Sequence, residues 1–194
     1  ELNDLNTARR ACAGAGTVYT AAFCASGYTT TRVNNNETWD GTSWTEVAEV
    51  NTARNSMGSS GSSTAGFIFA GESATGDVAV AESWNGSAWT EVNDLNQARW
   101  SNAGAGTYTS ALTFGGYTST QVANSESWNG TNWTATNNLN TARYNMGGDG
   151  ASNTAALAFG GQPGGPSGTQ TEDWNGVSWQ ETSDLNTGRV ALGS

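Results

Sequence analysis

The chain has 194 residues, and its seven basic residues, all arginine, oppose seventeen acidic ones for a net charge of −10, with no histidine. That charge disfavours nucleic acid and anionic membranes as partners, since both are bound through positive charge; the missing histidine removes Ser-His-Asp, Cys-His and most zinc or copper chemistry. No apolar run approaches the ~20 residues of a membrane-spanning helix, no signal peptide is visible at Glu1, and the lack of an initiating Met points to a mature product or an excerpt.

In chain order, the first recognisable segment is Leu5-Asn6-Thr7-Ala8-Arg9, and variants of it return with Arg54, Arg99, Arg143 and Arg189, at spacings of 45, 45, 44 and 46 residues. A period in this range with strand-like content predicts a propeller or solenoid. After each arginine comes a stretch rich in Gly, Ala and Ser, as in Ser101–Gly106. An alternating segment ending in a glycine pair follows, most clearly Ala111–Gly116 and Ala156–Gly161. Alternation of large and small residues is the period-2 signature of a strand. The pair degrades to Ala25-Ser26 in the first repeat and to Ala70-Gly71 in the second.

Next comes a loop of variable sequence: Tyr28–Asn35, Glu72–Asp77, Tyr117–Val122 and Gln162–Gly168, the last stiffened by Pro163 and Pro166. Loops on a rigid scaffold are favoured places for binding residues. The period then closes on Trp-Asn/Asp-Gly-x-x-Trp, found at Trp39–Trp44, Trp84–Trp89, Trp128–Trp133 and Trp174–Trp179, which uses eight of the nine tryptophans. Asn-Gly favours the positive φ angles of a tight hairpin, so the two Trp residues are expected on adjoining antiparallel strands. Four strands per period give one four-stranded blade per repeat.

Arg99, Gly115-Gly116, Trp128 and Trp133, and again Arg143, Gly160-Gly161, Trp174 and Trp179, follow a known order. An Arg opens the first strand, Gly-Gly closes the second, an aromatic lies in the third and a Trp in the fourth. In this the whole chain resembles the kelch family of β-propellers, with Trp rather than the usual Tyr in the third strand. The wording Trp-Asn-Gly-Thr-x-Trp-Thr-Glu also resembles kelch-like repeats of environmental bacteria and of marine phage virion or tail-fibre proteins. The resemblance implies an all-β fold, a single propeller over residues 1–194 with four kelch-like four-stranded blades of about 45 residues. The repeats are residues 9–53, 54–98, 99–142 and 143–188; residues 189–194 open a fifth repeat or supply a closing strand. Glu1–Gly14 aligns with Glu181–Ser194, so the chain either closes its ring with a surplus strand or is an excerpt of a longer array. An exposed surplus strand would be a natural donor to a neighbouring sheet edge and would allow self-association.

Glu37, Glu82, Glu126 and Glu172 each stand two residues before the first Trp of a hairpin, and they are read as partners of the motif arginines within or between blades. The rival reading is a ring of catalytic carboxylates. The hairpin tryptophans are read as packing between blades, with sugar stacking as the alternative. Asn6, Asn51, Asn96, Asn140 and Asn186 are read as turn formers bonding local backbone. Asn36, Asn85, Asn129 and Asn132 match the N-glycosylation pattern, a weak signal inside turns. Thr38–Trp44 is one residue short of a sialidase Asp-box and is not read as evidence for an enzyme. Cys12 and Cys24 are read as buried thiols, with a disulfide as the alternative.

Where the copies disagree, immediately after the motif arginine, the chain places Arg10, Asn55, Trp100, Tyr144 and Val190. Arg10, Asn55, Trp100 and Tyr144 form the candidate ligand-binding set, a rim near the mouth of the central channel suited to a small polar ligand or sugar; drift at solvated positions is the alternative. No catalytic residue, cofactor or metal ligand is assigned, as no Asp-x-Asp-x-Asp-Gly spacing occurs. The expected function is a non-enzymatic extracellular structural or adhesive module of a virion appendage or surface filament, with a glycan or cell-surface partner. The alternatives are a carbohydrate-active hydrolase or lyase and a protein-binding kelch module.

Overall fold

The hairpin signals read from the sequence become the outer halves of four antiparallel sheets. The computed structural model describes residues 2–162 and 168–191, so Pro163, Pro166 and residues 192–194 of the predicted surplus strand lie outside the described residues. The first sheet is β1 (Ala13–Val18), β2 (Ala21–Ala25), β3 (Asn36–Trp39) and β4 (Trp44–Val47). In the second repeat β5 (Arg54–Asn55), β6 (Gly58–Gly61), β7 (Gly66–Phe69), β8 (Glu72–Ser73), β9 (Gly76–Asp77), β10 (Ala81–Trp84) and β11 (Trp89–Val92) follow. The third sheet is β12 (Ala103–Thr107), β13 (Ser110–Phe114), β14 (Ser125–Trp128) and β15 (Trp133–Thr136). The fourth is β16 (Gly147–Ser152), β17 (Ala155–Phe159), β18 (Thr171–Trp174) and β19 (Trp179–Glu181). Strands of each sheet pair in sequence order; in the second repeat β6, β7, β10 and β11 make the sheet, while β5, β8 and β9 form a separate small one. The described residues contain no helix.

Each predicted Trp pair is a cross-strand pair: Trp39 faces Trp44, Trp84 faces Trp89, Trp128 faces Trp133 and Trp174 faces Trp179. The turn between them takes the positive φ expected of a tight hairpin at one residue alone. Four residues intervene, and only the glycine takes a positive φ, about 90° in each of Gly41, Gly86, Gly130 and Gly176. The preceding Asp or Asn acts through its side chain instead: Asn85 Oδ1 accepts the N–H groups of Ser87 and Ala88, both at 2.9 Å. Asp40 does the same for Thr42 and Ser43 at 2.8 Å, and these two bonds hold its carboxyl below the ordinary value.

Two further expectations are corrected. The motif arginine does not open the inner strand, which starts four residues later at Ala13, Gly58, Ala103 and Gly147. Between them stands a residue in the left-handed region, Ala11, Ser56, Ser101 or Asn145, with φ of 51–57°, and that turn separates arginine from strand. The glycine pair of the first repeat is Ser26-Gly27, not Ala25-Ser26. The first pair position has φ of 57–66° in Ser26, Ala70, Gly115 and Gly160, a region that small side chains tolerate. The second position is glycine throughout, at 89–116° in Gly27, Gly71, Gly116 and Gly161. A Cβ on Gly27 would also stand 2.9 Å from the Arg10 carbonyl oxygen.

Burial follows the seams between consecutive sheets. One apolar cluster joins Phe23 and Ala25 of the first sheet to Ile68, Trp84 and Trp89 of the second. A second joins Phe67 and Phe69 to Ala111, Trp128 and Trp133, and a third joins Leu112 and Phe114 to Ala156, Trp174 and Trp179. At each seam a Phe of one sheet meets the second hairpin Trp of the next. The pairs are Phe23–Trp89 at 5.7 Å, Phe69–Trp133 at 5.1 Å and Phe114–Trp179 at 4.7 Å. Glycine lets the inner strands approach: a Cβ on Gly148 would stand 2.8 Å from both the Gly104 oxygen and the Phe114 ring. Each sheet is thus fixed by its neighbours, as in other repeat arrays.

The seam contact stops at the ends. Phe159, which takes the place of Phe69 and Phe114, is half-buried and makes no ring contact with Trp44. Leu157, at the place of Phe23, is 37% exposed where Phe23 is 1% exposed. Trp44 is half-buried, whereas Trp89, Trp133 and Trp179 are 4–6% exposed. The four sheets therefore form an array with two unmatched end faces.

Candidate functional site

The recurrent charged residues converge inside each sheet. Glu82 of β10 is fully buried and receives the N–H of Asn51 at 2.7 Å, the Nδ2 of Asn51 at 2.8 Å and the N–H of Thr52 at 3.3 Å. Arg54, also fully buried, closes the cradle with a hydrogen-bonded ion pair. Glu37 is held in the same way by Asn6, Thr7 and Arg9. Glu126 is held by Asn96 with Arg99 at 3.0 Å, and Glu172 by Asn140 with Arg143 at 2.9 Å. Burial alone would raise the Glu37 carboxyl, but the bonds from Arg9 and Asn6 outweigh it and hold that group below its ordinary value. Burial pulls Arg54, Arg99 and Arg143 down, against the opposing pull of Glu82, Glu126 and Glu172.

The Arg–Glu expectation thus holds within each repeat, but Asn6, Asn51, Asn96 and Asn140 do not bond local backbone as expected. Their amides reach a carboxylate about thirty residues away and the Trp carbonyl beside it, as in Asn6 Nδ2 to Trp44 O at 2.9 Å. A local turn would use the side-chain oxygen; here the amide nitrogen donates, because a buried carboxylate needs several donors. The signal was present in the sequence, since Asn and Glu recur in every copy alongside Arg. The first hairpin Trp also has a polar tie. Trp84 Nε1 donates to Ser63 O at 2.9 Å and Trp128 Nε1 to Tyr108 O at 2.8 Å, pinning hairpin to inner turn.

The variable positions after the arginines form short bridges to the residue after the glycine pair: Arg10 with Tyr28, Trp100 with Tyr117, and Tyr144 with Gln162. Asn55 pairs in register with Glu72, is buried, and donates from Nδ2 to Ser56 Oγ at 3.0 Å. Arg10 lies over the Tyr28 ring at 5.2 Å. Trp100 and Tyr144 meet, ring centroids 6.0 Å apart, and Tyr117 stands between them at 5.1 and 5.0 Å. All three rings are half-buried. Tyr117 was not singled out beforehand, although its place in the variable loop, opposite Trp100, was legible. The structure therefore brings Trp100 and Tyr144 together, and leaves Arg10 and Asn55 in pairs of their own on the first and second repeats.

None of these residues lines the main cavity between the inner strands. That cavity, of about 720 Å³, is walled by Gly14–Thr17, Ser59–Ser62, Gly104–Thr109 and Gly148–Ala151, the inner strands and their turns. The candidate set precedes those strands instead, across a ladder of backbone bonds. Ser56 N–H donates to Ala11 O at 2.9 Å, Ser101 N–H to Ser56 O at 2.7 Å, and Asn145 N–H to Ser101 O at 3.1 Å. The left-handed turn that makes the ladder stands between the candidate positions and the inner strands that wall the cavity. The cavity wall is mostly Gly, Ala, Ser and Thr, with Asp149 its one ionisable carboxylate among the described residues.

Cys12 and Cys24 are free thiols, Cys24 buried and Cys12 half-buried. The Cys24 hydrogen bond pulls Cys12 down to about 7, with burial opposing and Arg9 assisting, while the same bond and burial push Cys24 far up. Alkylation of the folded protein at pH 8 is expected to modify Cys12 first, read by peptide mass mapping; equal labelling of both would contradict this arrangement. No group of three or more metal-ligating side chains occurs among the described residues. No family model matches the chain, and no curated protein is similar to it.

Proposed function

We propose that the four sheets are blades of a kelch-like β-propeller array, open at its ends, that serves as a non-enzymatic structural or adhesive module outside the cell or on a virion. We further propose that its adhesive contact is with glycans, at the cluster of Trp100, Tyr117 and Tyr144. The observation that carries this reading is a division of labour among the residues. Each recurrent glutamate, on which carboxylate catalysis would draw, is held by an asparagine and an arginine. Trp100 is the one tryptophan outside the repeated hairpin, and it gathers two tyrosines into a half-exposed patch. Aromatic faces of this kind present apolar area with polar edges, as a sugar ring does. The net charge of −10 favours neutral over acidic sugars.

A glycan-array screen of the intact chain, with Trp100→Ala beside it, tests the site. Binding to neutral sugars is expected, with at least a tenfold loss in the variant and no change in the hairpin-dependent fold. Binding that survives Trp100→Ala would remove the aromatic patch as the contact. Cleavage of the bound sugars in the same samples would overturn the non-enzymatic reading.

A further inference from the structure

The segment joining one sheet to the next works as a two-sided staple. Its backbone binds the sheet behind it: Val50 N–H donates to Asn34 O at 3.0 Å, and Gly27 N–H donates to Arg54 O at 2.9 Å. Its side chains and turn amides grip the Glu82 carboxylate of the sheet ahead. The same two-sided pattern recurs at the next two seams, through Leu95–Arg99 and Leu139–Arg143.

At each end of the array only half of the staple is used. Residues 185–189 are seated by backbone on the fourth sheet: Leu185 N–H donates to Thr169 O at 2.9 Å, Gly161 N–H to Arg189 O at 3.0 Å, and Ala191 N–H to Asn145 O at 2.9 Å. Among the described residues, their other side faces no glutamate. Arg189 is exposed, and among the described residues its side chain bonds Thr187 O alone, at 3.4 Å, whereas Arg54, Arg99 and Arg143 are fully buried on carboxylates. At the other end Asn6, Thr7 and Arg9 grip Glu37, but no described sheet lies behind them, and Leu5 is half-buried where Val50, Leu95 and Leu139 are 2–5% exposed. The apolar halves match too: Leu157 and Phe159 are uncovered on the fourth sheet, and Trp44 is uncovered on the first.

We propose that the fourth sheet receives the first sheet of a second copy of this chain, and that Asn186, Thr187 and Arg189 of one copy take over Glu37 of the next from its own Asn6, Thr7 and Arg9. The segments Asp4–Arg9 and Asp184–Arg189 differ only at Ala8 and Gly188, so either can fill the single slot at such a seam. The contact reproduces a seam already present three times in the molecule, with Trp44 against Phe159 in the role of Trp133 against Phe69. Because the two faces differ, the association is head-to-tail, and it extends into filaments unless its rotation closes a ring. Exchange of an identical element between copies requires no new interface chemistry.

This inference rests on the open ends proposed above, but not on glycan binding. The test is sedimentation velocity of the intact chain over a concentration series, combined with hydrogen exchange. Concentration-dependent oligomers are expected. On association the amides of Asn6 and Thr7 should lose protection while those of Asn186 and Thr187 gain it. Arg189→Ala, at an exposed side chain bonded to Thr187 O, should leave melting unchanged and abolish the oligomers; Phe159→Ser, the second variant, should also abolish them at a modest cost in melting, because its half-buried ring packs on Gly147. A chain that stays monomeric, oligomers indifferent to Arg189→Ala, or oligomers without the amide trade would each overturn the proposal. A monomer in which Trp44→Ala costs as much stability as Trp133→Ala would fail the open array as well; a monomer in which it costs little would fail the second-copy seam alone.

Discussion

Glu82→Gln is expected to lower the unfolding free energy by about 3–5 kcal/mol, the cost of leaving one member of a buried ion pair without its partner. Both Glu82 and Arg54 have no solvent exposure, so the guanidinium left behind cannot recover its hydration. The amide also places an NH2 group at one of the two oxygen positions, so it opposes either the two donors of Asn51 or the Thr52 N–H. Denaturant unfolding measures the loss. A companion double variant, Glu82→Leu with Arg54→Met, should cost clearly less than Glu82→Gln alone, because no charge then remains in the interior. Unchanged stability of Glu82→Gln would remove the cradle as a structural element and reopen a catalytic reading of the glutamates.

The second large effect is a contrast between two copies of one residue. Trp133→Ala should cost about 3–5 kcal/mol, the usual range for a buried Trp in a core. Its ring stacks on Phe67 at 5.6 Å and meets the edge of Phe69 at 5.1 Å, across the seam between the second and third sheets. Trp44→Ala removes the corresponding ring of the first sheet, whose one aromatic contact among the described residues is Trp39, at 5.5 Å. Half-buried, it should cost about 1–1.5 kcal/mol, measured in the monomer at low concentration. Equal losses would mean that the fourth sheet, or another one, covers the first.

The hairpins, the repeat period and the Arg–Glu pairs were legible because each depends on residues that recur at fixed spacing. Trp84 and Trp89 must face each other once four residues turn between them, and a charged pair repeated in a charge-poor chain has few other partners. The all-β architecture of four-stranded sheets follows from the same patterns. The role of Asn51 was missed because sequence neighbours hide a carboxylate thirty-one residues away. The first glycine pair was misplaced by one residue because φ, not composition, defines it: Ser26 accepts the left-handed angle, and only Gly27 accepts 116°.

The candidate site divides along the same line. Variation at Arg10, Asn55, Trp100 and Tyr144 was visible as disagreement among copies, but their grouping was not. Asn55 is buried against Ser56 and Glu72, while Trp100 and Tyr144 share Tyr117. The separation of rim from cavity arose from the left-handed turns at Ala11, Ser56, Ser101 and Asn145, for which only Asn145 carries a residue type with a marked preference.

The sequence by itself determined the repeated unit, because strand alternation, Asx-Gly turns and paired charges act over short or regular distances. Only the tertiary structure decided how the units meet and where they stop meeting. A Phe in one sheet is covered by a Trp about sixty-five residues onward, and each buried face depends on a neighbour that its own residues cannot specify. At Phe159 and Trp44 identical residue types lie half-open because no described sheet covers them, and Arg189 stands exposed because no described glutamate meets it.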